Sequence, residues 1–304
     1  MKKAFLLGAG LGTRLQPMTN TVPKPLVPVF HRPMATHALD HLLEAGIEEV
    51  AINTHHLHKE WARTFPDGRY RGLQLHFFHE EVLLETGGGI KNISSFIAGD
   101  PLLVYNGDIL TNIAIKELIT QHESSGKTAT LAVRTEGPAR HLAVKEDLVI
   151  DIRQKLEVAE GTHQFTGIYC ISPEILELIP ADEKISIIPA FLELASQEKL
   201  GAFSADQGHW LDLGTREAYL ETHGIGAALE TGQELSQIHQ NAVVDTSATI
   251  TNSWVGPGCQ IGAGAHLENC LLWPNTSVEP NAQLTNCIVH SNQPASGDHQ
   301  GADL

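Results

Sequence analysis

Short apolar runs alternate with stretches of helical period through the first 225 residues of the chain. "KAFLLG", "EVAINT", "LQLHFF" and "PLLVYNGD" read as buried strands, whereas Met34 to Ala45, Gly88 to Ile97 and Ile113 to His122 repeat apolar residues at helical spacing. Such alternation predicts an α/β, Rossmann-like domain with a mostly parallel sheet and helices on both faces. In sheets of this class ligands sit at the carboxyl ends of the strands, which is where "GAGLGTR", "NTHHLH" and "NGD" fall. A later group, "HLAVKED", "LVIDIRQ" and "FTGIYCIS", reads as antiparallel and as a lid-like subregion over the same edge.

The pattern then changes. A polar stretch, "ETGQELSQIHQN", marks a linker over residues 229–240, so that the α/β domain spans 1–228. Beyond it Val244, Ile261 and Val278 recur every seventeen residues, as do Ile250, Leu267 and Leu284, and Asn252, Asn269 and Asn286. Val255, Leu272 and Val289 complete apolar steps of six, five and six, the signature of a small left-handed parallel β-helix of hexapeptide repeats over 241–290. Cys270 and Cys287 fall at equivalent places in successive coils and read as small buried groups. The asparagines suit corners with unusual backbone angles, where their side chains can hydrogen-bond along the stack. An open β-helix end leaves edges that a second subunit can cover, which predicts a homo-oligomer. The polar segment 291–304, "SNQPASGDHQGADL", reads as a disordered tail.

Composition narrows the partners. The formal net charge of −16 opposes general binding to nucleic acid or an anionic membrane, so an anionic ligand must be small and held locally. The four cysteines lack zinc spacing, and a chain of 304 residues needs no disulfides. The opening "MKKAFLLGAG" has too short an apolar stretch for a secretory signal, and no run approaches the roughly 18 residues of a membrane span. A soluble, cytoplasmic protein is the expectation.

"GAGLGT" places glycines at positions 8, 10 and 12, matching neither G-x-G-x-x-G nor a loop followed by G-K-[ST]. A tight turn needing positive φ would account for it. The segment continues with Thr13 and Arg14, then with Lys24 set among Pro23, Pro25 and Pro28. Backbone amides, a guanidinium fork and a restrained ammonium together suit phosphate. Asp108 in "VYNGD" can hold a hard cation or cap a helix. The three glycines of "EEVLLETGGGIKN" can open a helix or let backbone lie flat against a base. His55, His56 and His58 in "NTHHLHKEW" lack the spacing of a zinc site.

The N-terminal segment resembles the signature of the sugar-1-phosphate nucleotidyltransferases, G-x-G-T-R-L-x-P-x-T-x-x-x-P-K-P, at Gly10, Gly12, Thr13, Arg14, Leu15, Pro17, Thr19, Pro23, Lys24 and Pro25. W-x-D-x-G-T is matched at Trp210, Asp212, Gly214 and Thr215. The resemblance implies magnesium-dependent (Mg2+) nucleotidyl transfer from a nucleoside triphosphate to a sugar 1-phosphate, with UTP and N-acetylmuramate 1-phosphate the expected pair and GTP with mannose or heptose 1-phosphate the alternative. Arg14 and Lys24 would be catalytic, and Asp108 and Asp212 would hold the metal. Leu7, Gly8, Gly10, Gly12, Thr13, Glu85, Gly87 and Gly88 would bind the nucleotide. Lys155, Thr166 and Gly167 would bind the sugar phosphate, although the family's E-E-K-P reads "RQKL" here, with Arg153 and Gln154 in place of the acids. "LETGGGI" is similar to the branch using UTP and N-acetylmuramate 1-phosphate, and Arg153 suits a sugar bearing a carboxylate. The β-helix resembles extensions of enzymes using GTP with mannose or heptose 1-phosphate. A catalytically silent regulatory homologue and an acyltransferase are the readings from other classes.

Overall fold

The computed structural model describes residues 1–225 and 236–304. In chain order the elements are β1 (Lys3–Leu7), a tight hairpin of β2 (Pro28–Val29) and β3 (Arg32–Pro33), α1 (Met34–Glu44), β4 (Glu49–Thr54) and α2 (His58–Thr64). There follow β5 (Arg69–Tyr70), β6 (Leu73–His79), α3 (Glu85–Asn92), α4 (Ser94–Ile97), β7 (Leu102–Asn106), β8 (Ile109–Thr111) and α5 (Ile115–Ser125). β9 (Ala129–Arg134), β10 (Arg140–Lys145), β11 (Leu148–Ile152), β12 (His163–Ile171), α6 (Ile188–Ser196), β13 (Leu200–Ser204), β14 (Trp210–Asp212) and α7 (Arg216–Gly224) complete the first part. Short strands of the β-helix occupy the rest.

Two compact units divide these elements: Met1–Leu11 with Ala35–Trp210, and Gly12–Met34 with Leu211–Leu304. The sequence boundaries do not foresee this, because the signature segment 12–34 groups with the β-helix rather than with the strand it follows. Of the expected linker, residues 229–235 lie outside the described residues. Ile238 and His239 already belong to the first coil, where the His239 N–H donates to Val255 O at 2.9 Å and Ile238 bridges Val255.

In the first unit a ten-stranded sheet runs β10-β11-β13-β9-β12-β7-β1-β4-β6-β5. β6, β4, β1 and β7 are mutually parallel. Ala4, Phe5 and Leu6 of β1 and Val50, Ala51 and Ile52 of β4 are all fully buried, so both faces of these strands are covered and the runs are continuously apolar. β12 enters antiparallel next to β7 and β9, and β10 and β11 are antiparallel too, which makes the sheet mixed. The antiparallel group is therefore part of the main sheet and forms no separate lid. After β1 the chain adds β4 and β6 on one side and returns to place β7 on the other. β1 is thus the point where the winding reverses, and a crevice opens beyond the carboxyl ends of such strands.

The second unit contains the β-helix. Val244, Ile261 and Val278 pair in register, as do Ile250, Leu267 and Leu284, and Val255, Leu272 and Val289. Each side of each coil sends one apolar group inward, and Cys259, Cys270 and Cys287 fill the same core as free thiols. Asn252, Asn269 and Asn286 take positive φ at the corners as expected. Their side chains are exposed and do not bond along the stack. Residues 291–304 are not disordered. Asp298–Gln300 adds a strand to Gln283–Thr285, Leu304 N–H donates to Ile288 O at 2.8 Å, and Leu304 O accepts from His290 and Ser291. Backbone pairing, with Ala302 and Leu304 packed on the core, overrides the polar composition that suggested disorder.

Candidate active site

Four candidate residues stand at the reversal point. Leu7 ends β1 opposite Asn106 of β7, and the Gly107 N–H donates to Leu7 O at 3.1 Å. Asp108, half-buried, follows directly, so the glycine loop and this carboxylate leave the sheet side by side. Gly8 is glycine for packing: a Cβ there would lie 2.7 Å from Asn53 O and 2.8 Å from the indole of Trp61. Its N–H donates to Asn53 Oδ1 at 2.8 Å and is spent inside the protein. Gly10 differs, since a Cβ there would meet nothing within 4 Å. Free space beside exposed backbone is what close approach by a ligand requires.

Asn53 links the glycine loop to the segment before α3. Its amide donates to Glu80 Oε1 at 2.7 Å, while Glu80 Oε2 accepts from Leu84 N–H at 2.9 Å. A Cβ on Gly89 would lie 3.2 Å from both Asn53 Nδ2 and Glu80 Oε1. Glu85 is exposed, with φ 62, at the start of α3. Gly87 and Gly88 are buried, and a Cβ on either would collide with backbone of residues 183–186. The Gly88 N–H donates to Ile185 O at 3.0 Å. These two glycines therefore serve close packing of α3, beyond any approach of a base. Neither Asn53 nor Glu80 is singled out by the sequence; burial alone reveals their roles.

On the sugar side, Gly167 has φ 80 in a register shift of β12, and a Cβ there would lie 2.6 Å from Asn106 Nδ2. Thr166 is buried, its hydroxyl donating to Ala132 O at 2.9 Å, while its carbonyl accepts from Trp210 Nε1 at 2.8 Å. Asn106, Gly167 and Thr166 are thus together, two residues from Asp108. Lys155 is exposed on the loop after β11, where Arg153, Gln154 and Glu157 all take positive φ. Such a run persists only when its surroundings impose it. Asp151, buried in β11, does so by accepting from the amides of Leu156 at 3.1 Å and Val158 at 3.0 Å. Burial pushes its carboxyl up, but these amides and those of Ile152 and Lys155 outweigh burial and hold it below the ordinary carboxylate range.

The remaining candidates lie in the second unit. Gly12 has φ 63, and a Cβ there would meet Thr19 Cγ2 at 2.9 Å and Lys24 Cβ at 3.0 Å. Thr19 Oγ1 donates to Gly12 O at 2.9 Å, so the signature folds back on itself. Lys24 is only 7% exposed, in the short 3-10 turn Lys24–Leu26 set up by Pro23. Thr13 and Arg14 are exposed, and the Arg14 guanidinium forms no ion pair or hydrogen bond among the described residues. Gly214 lies where two side chains meet: its missing Cβ would be 2.7 Å from Arg14 Nη2 and 2.8 Å from Asp212 Oδ1. Thr215 then caps α7 by accepting from Ala218 N–H at 3.2 Å.

The histidines of residues 55–58 are engaged locally. His55 Nδ1 bonds Glu80 O at 2.8 Å, and the His58 ring lies 4.1 Å from that of His79. Among the described residues no three His, Cys, Asp or Glu side chains gather as a metal-binding group. Asp108 is half-buried and Asp212 exposed, and each is by itself a hard oxygen donor of the kind magnesium takes from protein. No helix among the described residues is long and apolar enough to cross a membrane.

Residues 3–226 match the nucleotidyl transferase family model, and residues 227–299 match that of the GlmU-like C-terminal hexapeptide domain. A mannose-1-phosphate guanylyltransferase of Mycobacterium tuberculosis is 31% identical over 88% of this chain and 79% of its own length. A UTP–glucose-1-phosphate uridylyltransferase of Synechocystis is 25% identical over 83% of this chain and 70% of its own. Among solved structures, UDP-glucose pyrophosphorylase complexed with UDP-glucose superposes with a TM-score of 0.62 over 73% of this chain and 96% of that one. At 22% identity the likeness is one of fold.

Proposed function

Because the chain belongs to the nucleotidyl transferase family, we propose that it is a sugar-1-phosphate nucleotidyltransferase, making a nucleoside diphosphate sugar and pyrophosphate. A phosphate oxygen of the sugar 1-phosphate attacks the α-phosphorus of a nucleoside triphosphate, and pyrophosphate leaves. The attacking dianion is already nucleophilic, so the protein must align the reactants and neutralise charge. Arg14 and the open backbone at Gly10 take the pyrophosphate. Lys24 takes the α-phosphate and sugar phosphate, and its near-complete burial sharpens its field by excluding water. Gly167, held in place by the buried Thr166 beside it, and Lys155 would take the sugar phosphate. Asp108 and Asp212 would hold magnesium, which when bound supplies positive charge to the phosphates.

The observation that carries this reading is the meeting of Arg14 and Asp212 over Gly214, with the guanidinium unpaired among the described residues. A cation beside a carboxylate that does not neutralise it is left available for an anion.

For the substrates, alignment with a mannose-1-phosphate guanylyltransferase through both the catalytic and hexapeptide regions favours GTP with mannose 1-phosphate. "LETGGGI" together with Arg153 favours a second reading, UTP with N-acetylmuramate 1-phosphate. Crossing four nucleoside triphosphates with mannose, glucose, N-acetylglucosamine, heptose and N-acetylmuramate 1-phosphates separates them. The first reading fails if kcat/KM for mannose 1-phosphate with GTP is not the highest of the panel. Sizing the intact protein tests whether the β-helix end joins two copies; a monomer at micromolar concentration rejects it.

A further inference from the structure

Arg216 is the first residue of α7, directly after the turn that carries Asp212, Gly214 and the cap Thr215. Its side chain turns away from that turn and ends on the far end of the β-helix. Nε donates to Asp303 Oδ1 at 2.7 Å, and Nη2 donates to Asn286 O at 2.9 Å and Ala302 O at 3.3 Å. Both side chains are mostly buried, at 21% and 15% exposure. The acceptors are themselves fixed. Ala302 O accepts from Ile288 N–H at 2.9 Å, Gly301 N–H donates to Thr285 O at 2.9 Å, and Asp303 bridges Ile288. A segment with few apolar side chains is thus held by its backbone ladder, by Ala302 and Leu304 on the core and by this arginine.

The other end of α7 is also tied. Tyr219 Oη donates to Pro28 O and accepts from Trp273 Nε1 at 3.1 Å, while the Phe30 N–H donates to His223 Nε2 at 3.3 Å and Trp254 Nε1 donates to His223 O at 2.8 Å. One helix therefore joins the signature segment, the coils of the β-helix and the segment 298–304. We propose that Arg216 and Asp303 are a positioning pair: the last part of the β-helix sets the place of the Asp212–Thr215 turn, and through Gly214 that of Arg14. The inference rests on the proposed role of Asp212 and Arg14. It gives the β-helix a part in turnover beyond assembly.

The test uses the full chain and its variants Asp303→Ala, Asp303→Glu and Arg216→Lys. Pyrophosphate release gives kcat, KM and the magnesium concentration for half-maximal rate; thermal melting reports the fold, and amide hydrogen exchange is followed over residues 212–218. Asp303→Ala and Arg216→Lys should melt like the parent, exchange at 213–216 about tenfold faster, lose about tenfold in kcat and need more magnesium. Asp303→Glu should recover most of the loss. Unchanged exchange, or faster exchange with unchanged kcat and magnesium requirement, overturns the proposal. A loss of rate that merely follows the unfolded fraction overturns it as well. If the parent protein releases no pyrophosphate with any substrate pair, the proposed function itself has failed, and the exchange data alone decide whether the pair fixes the turn.

Discussion

Arg14 Nη2 and Asp212 Oδ1 approach within 2.7 and 2.8 Å of the point where Gly214 would carry a side chain. A methyl group there must displace a guanidinium or a carboxylate, both at the ends of flexible side chains, and the Gly214 backbone lies outside the left-handed region. Gly214→Ala should therefore fold normally, with a melting temperature within a few degrees of the parent, and lose at least about tenfold in kcat/KM for the nucleotide, equivalent to roughly 1.4 kcal/mol. Parent-like kinetics in the variant would remove the relationship from the site.

Gly8 and Gly10 lie two residues apart and should respond oppositely. Gly8→Ala drives a methyl into Asn53 O and Trp61, a backbone atom and a buried ring, and should destabilise by about 1–3 kcal/mol in a denaturant titration. Gly10→Ala meets open space, so its stability should match the parent while its KM for the nucleotide rises. Equal destabilisation of both would show that the loop is shaped by packing alone.

Lys24→Ala should reduce kcat by at least about 100-fold, as expected for a charge contact worth roughly 3 kcal/mol in the transition state. Lys24→Arg should restore little, because the pocket between Gly12 and Thr19 is filled. Single-turnover rates measured on folded protein check both.

Asp151 makes the loop of Lys155 sensitive to acid. Its carboxyl is held below the ordinary range in the folded protein, so it binds a proton more readily when unfolded. The stabilisation is present in full above the unfolded value of about 3.9 and is lost as pH falls through the lower folded value. Asp151→Asn should melt lower at pH 7, by about 1–3 kcal/mol for the amide left without an acceptor. It should also decline less steeply than the parent below about pH 4. Parallel curves through the acid range would reject this role.

Periodicity carries most of the architecture. The residues that pair in register along the β-helix are those whose seventeen-residue recurrence is visible in the chain, because one inward position per side repeats whatever the loops do. β1, β4 and β7 were equally legible, since strands buried on both faces leave continuous apolar runs. Segment 298–304 was not: Ala302 and Leu304 pack on the core, but the rest of its order comes from backbone hydrogen bonds and Arg216, which leave composition unchanged. Asp151, Asn53 and Glu80 escaped for a related reason: an acid or amide that organises buried amides looks, in sequence, like any surface residue. Gly87 and Gly88 gave the opposite problem, since a motif that suggests a ligand also meets a packing need against residues 183–186.

The most direct test is pyrophosphate release by the purified full chain, given GTP or UTP, a sugar 1-phosphate and magnesium, beside a folded Asp108→Asn variant. Release that requires all three components and falls by several orders of magnitude in the variant is expected. No release from any pair by folded protein, or undiminished release by Asp108→Asn, would contradict nucleotidyl transfer at this site.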